Sequence, residues 1–117
     1  AEERIREEFI RIINSPNPKK GLEMVKNLEL LRFIAPELEE GIGIDHNKSH
    51  IHDVWNHSLN SVQAAADKKW SLEIRLAALF HDIGKPTTRR KSLETGDWTF
   101  YGHEVVGAKI TKKIQLL

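Results

Sequence analysis

The sequence predicts an all-α domain with one small hairpin or irregular insertion. Apolar residues recur at helical spacing in successive segments, and proline and glycine clusters separate those segments. Size is the third observation: 117 residues with 39% hydrophobic content supply one modest core and not two.

The elements follow in order. Ile5, Phe9, Ile12 and Ile13 predict a helix from Glu2 to about Asn14, which the segment Ser15 to Pro18 stops. A second helix carries Pro18 in its first turn and turns Leu22, Val25 and Leu28 inward; a third spans Leu30 to Ala35 and ends before Pro36. Pro36 to Ser49, with Gly41 and Gly43, reads as a long loop, and loops of that length are often functional. Helix resumes near His52 with the stripe Ile51, Val54, Trp55, Ser58, Leu59, Val62, Ala65 and Ala66, and His57 lies on its margin beside Ser61 and Ala64. Ser71 caps the next helix, Leu72 to about Asp82, whose apolar side chains are interrupted mainly by Glu73 and Arg75. That pattern predicts the central helix, ended by Gly84 and Pro86. Between Thr87 and Tyr101 a hairpin is expected to turn at Thr95, Gly96 and Asp97. The last helix starts near His103, with Val106, Gly107, Ile110, Ile114 and Leu117 on one stripe and His103 in the same direction.

Charge and composition narrow the function classes. Eighteen basic against seventeen acidic residues leave a formal charge of +1, so any preference for phosphate must be local. Without cysteine there is no disulfide, no thiolate metal site and no cysteine nucleophile, which fits a reducing compartment; a cytoplasmic location is expected. No run reaches the ~18 apolar residues that cross a bilayer, and the start, AEERIREEF, lacks the apolar centre of a signal peptide, so the chain reads as soluble and unprocessed, without a membrane partner.

The segment RLAALFHDIGKP, Arg75 to Pro86, ends an apolar run in His81 and Asp82. An ionised carboxylate in low dielectric requires a cation or several donors. Arg75 lies two turns back with poor reach, and His81 points about 100° away as the sequence neighbour. A metal shared by histidines resolves this: imidazoles and a carboxylate suit zinc, iron, manganese, cobalt or nickel, whereas calcium prefers oxygen ligands. Each residue also has a plainer reading. His57 and His103 can be solvated or capping residues, and Asp82 a structural acceptor; the convergence of three histidines on a buried acid is what favours metal. His46, His50 and His52 are less favoured.

His57, FHDIGK at Phe80 to Lys85, and YGHEVVGA at Tyr101 to Ala108 resemble the HD superfamily of metal-dependent phosphohydrolases. ERIREEF, SPNPKKGLEMVKNLELLRFIAPEL and IHDVWNHSL resemble the region joining the RNA-binding neck to the HD domain in bacterial tRNA nucleotidyltransferases and poly(A) polymerases, and this likeness covers essentially the whole chain. It implies a single HD domain over residues 1–117, with scaffold helices in 1–36 and metal-site helices in 50–117. It further implies a helical bundle acting on phosphate esters, with nickel, manganese, magnesium, iron, cobalt or zinc as the divalent cofactor. Carried over, His57, His81 and Asp82 are metal ligands and His103 stands near a second ion. Asp82 and Lys85 are the expected catalytic residues, and by the same resemblance Lys85 contacts the substrate phosphate; Arg89 and Arg90 are candidates for substrate binding on their charge alone. The superfamily's last ligand is an Asp on a later helix, and no Asp follows His103. The family's C-terminal helices are then lacking, or a second copy completes the site in a homodimer, or the ion is held weakly.

Nucleotide transfer would need paired carboxylates for two magnesium ions beside a triphosphate site, and the chain has neither an Asp-x-Asp pair nor a Gly-Gly loop. The expected partner is a nucleotide or another phosphate ester, with RNA second. Arg89, Arg90 and Lys91 either add positive potential at the site or form a solvated hairpin surface; Trp98, Phe100 and Tyr101 stack on a base or belong to the core. Two functions remain: a metal-dependent phosphohydrolase, and a structural or RNA-contacting HD module of a nucleotidyltransferase-like protein.

Overall fold

The computed structural model describes residues 2–44, 53–91, 98–100 and 102–114. Helices α1 (Glu2–Ile13) and α2 (Pro18–Asn27) lead to a 3₁₀ turn (Leu31–Phe33) and a short α3 (Pro36–Glu39). Then come α4 (Val54–Asp67), α5 (Leu72–Phe80), α6 (Lys85–Thr88), strands β1 (Arg90–Lys91) and β2 (Trp98–Thr99), and α7 (His103–Ile114). The expected all-α class holds. The hairpin is present as an antiparallel pair, Arg90 opposite Thr99 and Lys91 opposite Trp98, while its expected turn at 95–97 lies outside the described residues.

Helix α4 packs against both α5 and α2. Its stripe is buried as the period predicts, from Val54 and Trp55 through Ser58, Leu59 and Val62 to Ala65 and Ala66. Leu59 and Val62 meet Leu76 and Leu79 of α5, and Phe9, Ile13, Leu22 and Leu31 close the core from the N-terminal side. The start of α4 is fixed from both ends of the intervening loop: Asp53 caps it by accepting from the Asn56 amide at 2.7 Å and also accepts from the Gly43 amide at 2.6 Å.

Several expectations need correction. The third element ends before Pro36 as expected but is a 3₁₀ turn, Leu31–Phe33, and Pro36 and Pro86 each open a further short helix, because proline fits a first helical turn whose N–H groups have no partner. The segment after Pro36 therefore begins as helix, and residues 45–52 of the predicted loop lie outside the described residues. Leu28 is 65% exposed, since α2 gives way at Asn27 to a Leu28 cap and a left-handed Glu29. Helix α5 stops at Phe80, with His81 as its cap, and it is not buried all round: Ile74 is 47% exposed.

Arg75, weighed above as a partner for Asp82, works elsewhere. Its guanidinium donates to the carbonyls of Ile13 and Ser15, both at 2.9 Å, and to that of Trp70 at 2.9 Å. It thus satisfies backbone acceptors at the end of α1 and before α5. Arg75→Met should destabilise the domain by about 3 kcal/mol, because the buried acceptors lose a charged donor; urea unfolding of the two proteins measures it.

Candidate metal centre

Helix α4 carries His57 one turn after its Asp53 cap, and the turn that follows α5 carries His81, the helix cap, and Asp82. The packing of α4 on α5 brings the three together. His57 Nε2 lies 3.2 Å from His81 Nε2 and 3.5 Å from Asp82 Oδ2, and His81 Nε2 lies 3.0 Å from the same oxygen. The carboxylate side chain is 7% exposed, while the imidazoles are 39% and 40% exposed, so an acid at the floor is flanked by two rings that reach solvent.

This triangle fits a small divalent ion. Two donors about 2.1 Å from one ion stand about 3.0 Å apart at a right angle and about 3.4 Å apart at the tetrahedral angle. Two of the observed separations, 3.0 and 3.2 Å, fall within that interval and the third, 3.5 Å, lies just above it; the donor set of two nitrogens and one oxygen suits a transition metal. His81 is also oriented for ligation. Its Nδ1 lies 2.6 Å from the Ala78 carbonyl, which only accepts, so Nδ1 carries a proton; without an ion Nε2–H donates to Asp82, and an ion at the triangle would take its place by receiving the Nε2 lone pair of the neutral ring.

Lys85 adds the cation that sequence reasoning had not paired with Asp82. One turn on, its Nζ lies 3.3 Å from Asp82 Oδ2 and 5.3 Å from the centre of the Phe100 ring. Burial pushes the Asp82 carboxyl up, but the His81 hydrogen bond and the charges of His81 and Lys85 outweigh it and hold the group well below the usual carboxylate range. His81 is raised by its bond to Asp82; burial opposes this, the Ala78 carbonyl reinforces it, and Lys85 counters it.

These shifts predict two pH dependences. A metal needs neutral His81, so a raised His81 pKa makes the proton a competitor. Apparent zinc affinity should fall up to ~tenfold per unit as pH drops below that pKa, and level off above it; calorimetric titrations across pH measure this. In metal-free protein the signs are opposite. The raised His81 contributes stability present below about 6.5 and lost as pH rises through its folded value, and the lowered Asp82 contributes stability present above about 3.9 and lost on acidification. Metal-free unfolding should therefore show greatest stability from these two groups in weakly acidic solution.

The other expected site residues are placed less closely. Arg89 is half-buried at the end of α6, and exposed Arg90 donates from Nη1 to the Arg89 carbonyl at 2.7 Å. His103 heads α7, but its side chain lies outside the described residues, as do His46, His50 and His52. Helix α7 approaches the site through Gly107: a Cβ there would stand 3.3 Å from the Gly84 amide nitrogen, tighter than most contacts allow. Sequence reasoning missed the Ala78 carbonyl, which no residue type announces, and Glu104, which stands with His81 along the cleft between α5 and α7. Phe100, for which the sequence leaves stacking on a base and core packing open, lies against the Lys85 ammonium.

Comparisons with known proteins show the family. The HD domain family model matches residues 54–117, which include His57, His81 and Asp82. A second family, described as a probable RNA and SrmB-binding site of polymerase A, matches residues 1–42. A CC-adding tRNA nucleotidyltransferase of Thermus thermophilus is 40% identical over 117 residues, covering 96% of this chain and 26% of its own. An A-adding tRNA nucleotidyltransferase of Deinococcus radiodurans is 35% identical over 114 residues, and a multifunctional CCA protein of Neisseria meningitidis 30% over 114, with the same coverages. The chain thus spans about a quarter of the length of these relatives. No solved structure matches. Among the described residues, no helix is long and apolar enough to cross a membrane.

Proposed function

We propose that this chain, which belongs to the HD domain family, binds a divalent metal ion through His57, His81 and Asp82 and hydrolyses phosphate esters of nucleotides or RNA ends. The observation that carries the reading is the triangle of three ligand atoms 3.0 to 3.5 Å apart, with one imidazole fixed by Ala78. Three protein ligands leave coordination positions open, as in catalytic sites and unlike closed structural ones. The exposure of both rings supports substrate access.

A bound ion supplies Lewis acidity toward water and a phosphoryl oxygen. The chain's residues do the rest. His57 and His81 donate lone pairs as neutral rings, and Asp82 adds the negative charge that favours a dication. Lys85 is the group suited to the phosphate: its Nζ pairs with Asp82 in the absence of substrate and has the charge to neutralise a phosphoryl oxygen. Arg89, which caps α6, and Arg90, on β1, follow as further positive charge. Net hydrolysis joins the oxygen of water to phosphorus and breaks the ester P–O bond; the leaving oxygen takes up a proton. His103, at the head of α7, is assigned to a second ion by family resemblance.

The relatives favour a second reading. Their names state nucleotide addition to tRNA, and residues 1–42 match an RNA-binding family, so α1 to α3 are proposed to contact RNA with the metal only holding the HD module together. Lys85→Ala separates the two readings. Hydrolysis predicts that turnover of nucleotide and 2′,3′-cyclic phosphodiester substrates falls ~100-fold, as for loss of a transition-state charge, with metal content retained. A structural metal predicts no turnover in the wild type under any divalent ion; loss of metal with activity would instead make Lys85 a support of the fold.

A further inference from the structure

A cleft of about 480 Å³ runs between α5 and α7 and begins at His81. Ala77 and Phe80 form one wall, Glu104 and Ala108 the other, and Gly107 lies between, where α7 approaches the 83–84 turn. Ala77, Glu104 and Ala108 are exposed, whereas Phe80 and Gly107 are buried, so small side chains leave a broad recess over a closed floor. Thr111 ends the cleft and turns its hydroxyl back onto the Gly107 carbonyl at 2.8 Å.

Two features of this recess select an occupant. Its walls are chiefly apolar, which suits a flat ring, and its volume lies within the range of small-molecule sites, ~300 to 1,000 Å³. Its charge differs in sign from that beside Asp82. Glu104 puts a carboxylate in the cleft and repels a phosphate there, while Lys85 puts a cation beside Asp82. An ester held at the triangle would thus direct its phosphate toward Lys85 and its uncharged part past His81 into the cleft. A ribose hydroxyl or base amino group is the kind of donor a carboxylate accepts.

We propose that the cleft between α5 and α7 is the subsite for the nucleoside part of a nucleotide substrate, with Ala77 and Ala108 setting the room for the ring and Glu104 accepting its hydrogen bonds. This rests on the hydrolase reading for the phosphate's position, and the test separates the two. Zinc-loaded protein is titrated with cytidine and adenosine 2′-monophosphates and with inorganic phosphate, while its backbone amides are followed by NMR. Metal content and turnover of methyl phosphate are measured on the same samples.

The nucleotides should bind at least ~tenfold more tightly than phosphate and shift the amides of Ala77, Gly107, Ala108 and Thr111. Ala108→Trp, on the exposed side of α7, should cut that advantage below ~threefold without changing methyl phosphate turnover or metal content. Ala77→Trp, on the opposite wall, does the same if the first variant does not fold. Equal affinity of nucleotide and phosphate for the wild type overturns the subsite, as does a folded tryptophan variant that keeps the full advantage. Shifts of the same amides on dilution alone, without nucleotide, would make the cleft a self-association face and also overturn it. A nucleotide preference without turnover of any ester supports the subsite and sinks hydrolysis; turnover without a nucleotide preference does the reverse.

Discussion

Asp82→Asn should remove metal binding and destabilise the domain in both states, by more when metal is present. In the metal-loaded wild type, binding to the folded state alone adds RT ln(1 + [L]/Kd), about 2.7 kcal/mol at a hundredfold excess over Kd, and the variant forfeits it. The metal-free loss has a separate origin. The sequence alone leaves Asp82 with no protein cation, and on that view an amide in its place would be neutral or stabilising in the absence of metal. Lys85 at 3.3 Å and His81 at 3.0 Å change the expectation, since an amide leaves both without their counter-charge. A loss of about 1 to 3 kcal/mol is expected without metal. Melting both proteins in chelator and then in excess zinc gives the two differences. Equal differences in chelator and in zinc would make the acid purely structural.

Leu79→Ala should have the largest effect on the metal-free fold. Leu79 is fully buried on α5, within the core that α5 shares with Leu59 and Val62 of α4. Truncation of a buried leucine removes transfer energy and leaves a cavity, together about 2 to 5 kcal/mol, out of a total stability of about 5 to 15 kcal/mol for a domain. The same interface holds His57 against His81, so the variant should also bind metal more weakly. Metal in excess should recover part of the loss by linkage. Urea unfolding with and without zinc measures both; a loss below about 1 kcal/mol would mean that α4 and α5 are joined by something other than this core.

Much of this architecture is legible in the sequence, for identifiable reasons. The α4 stripe from Val54 to Ala66 repeats at the helical period and is buried accordingly, and Ser71 stands where an N-cap must, accepting from the Ile74 amide. Period alone does not say how wide the buried face is, and Ile74 and Leu28 are exposed because no element among the described residues covers them. The short helices that open at Pro36 and Pro86 are not legible in the sequence, because a proline that marks the end of one helix can equally start another. Within the site, His57, His81 and Asp82 are visible as residue types that ligate metals. Two determinants of their chemistry are not. The carbonyl of Ala78 orients His81 through the backbone, and Lys85 reaches Asp82 only because the turn after α5 returns its side chain. Glu104 joins the site only through the approach of α7 at Gly107, a tertiary relation with no local pattern.

The central claim is that His57 and His81 ligate one ion through Nε2 while His81 keeps its Nδ1 proton on Ala78. Ring nitrogens of uniformly ¹⁵N-labelled protein, observed by long-range proton–nitrogen correlation during a zinc titration, test it directly. The account predicts that the Nε2 resonances of His57 and His81 shift together and saturate at one equivalent, that the His81 Nδ1 proton persists, and that Asp82→Asn abolishes the shift. Unchanged Nε2 resonances in excess zinc, or a shift carried by other histidines and undiminished in Asp82→Asn, would contradict it.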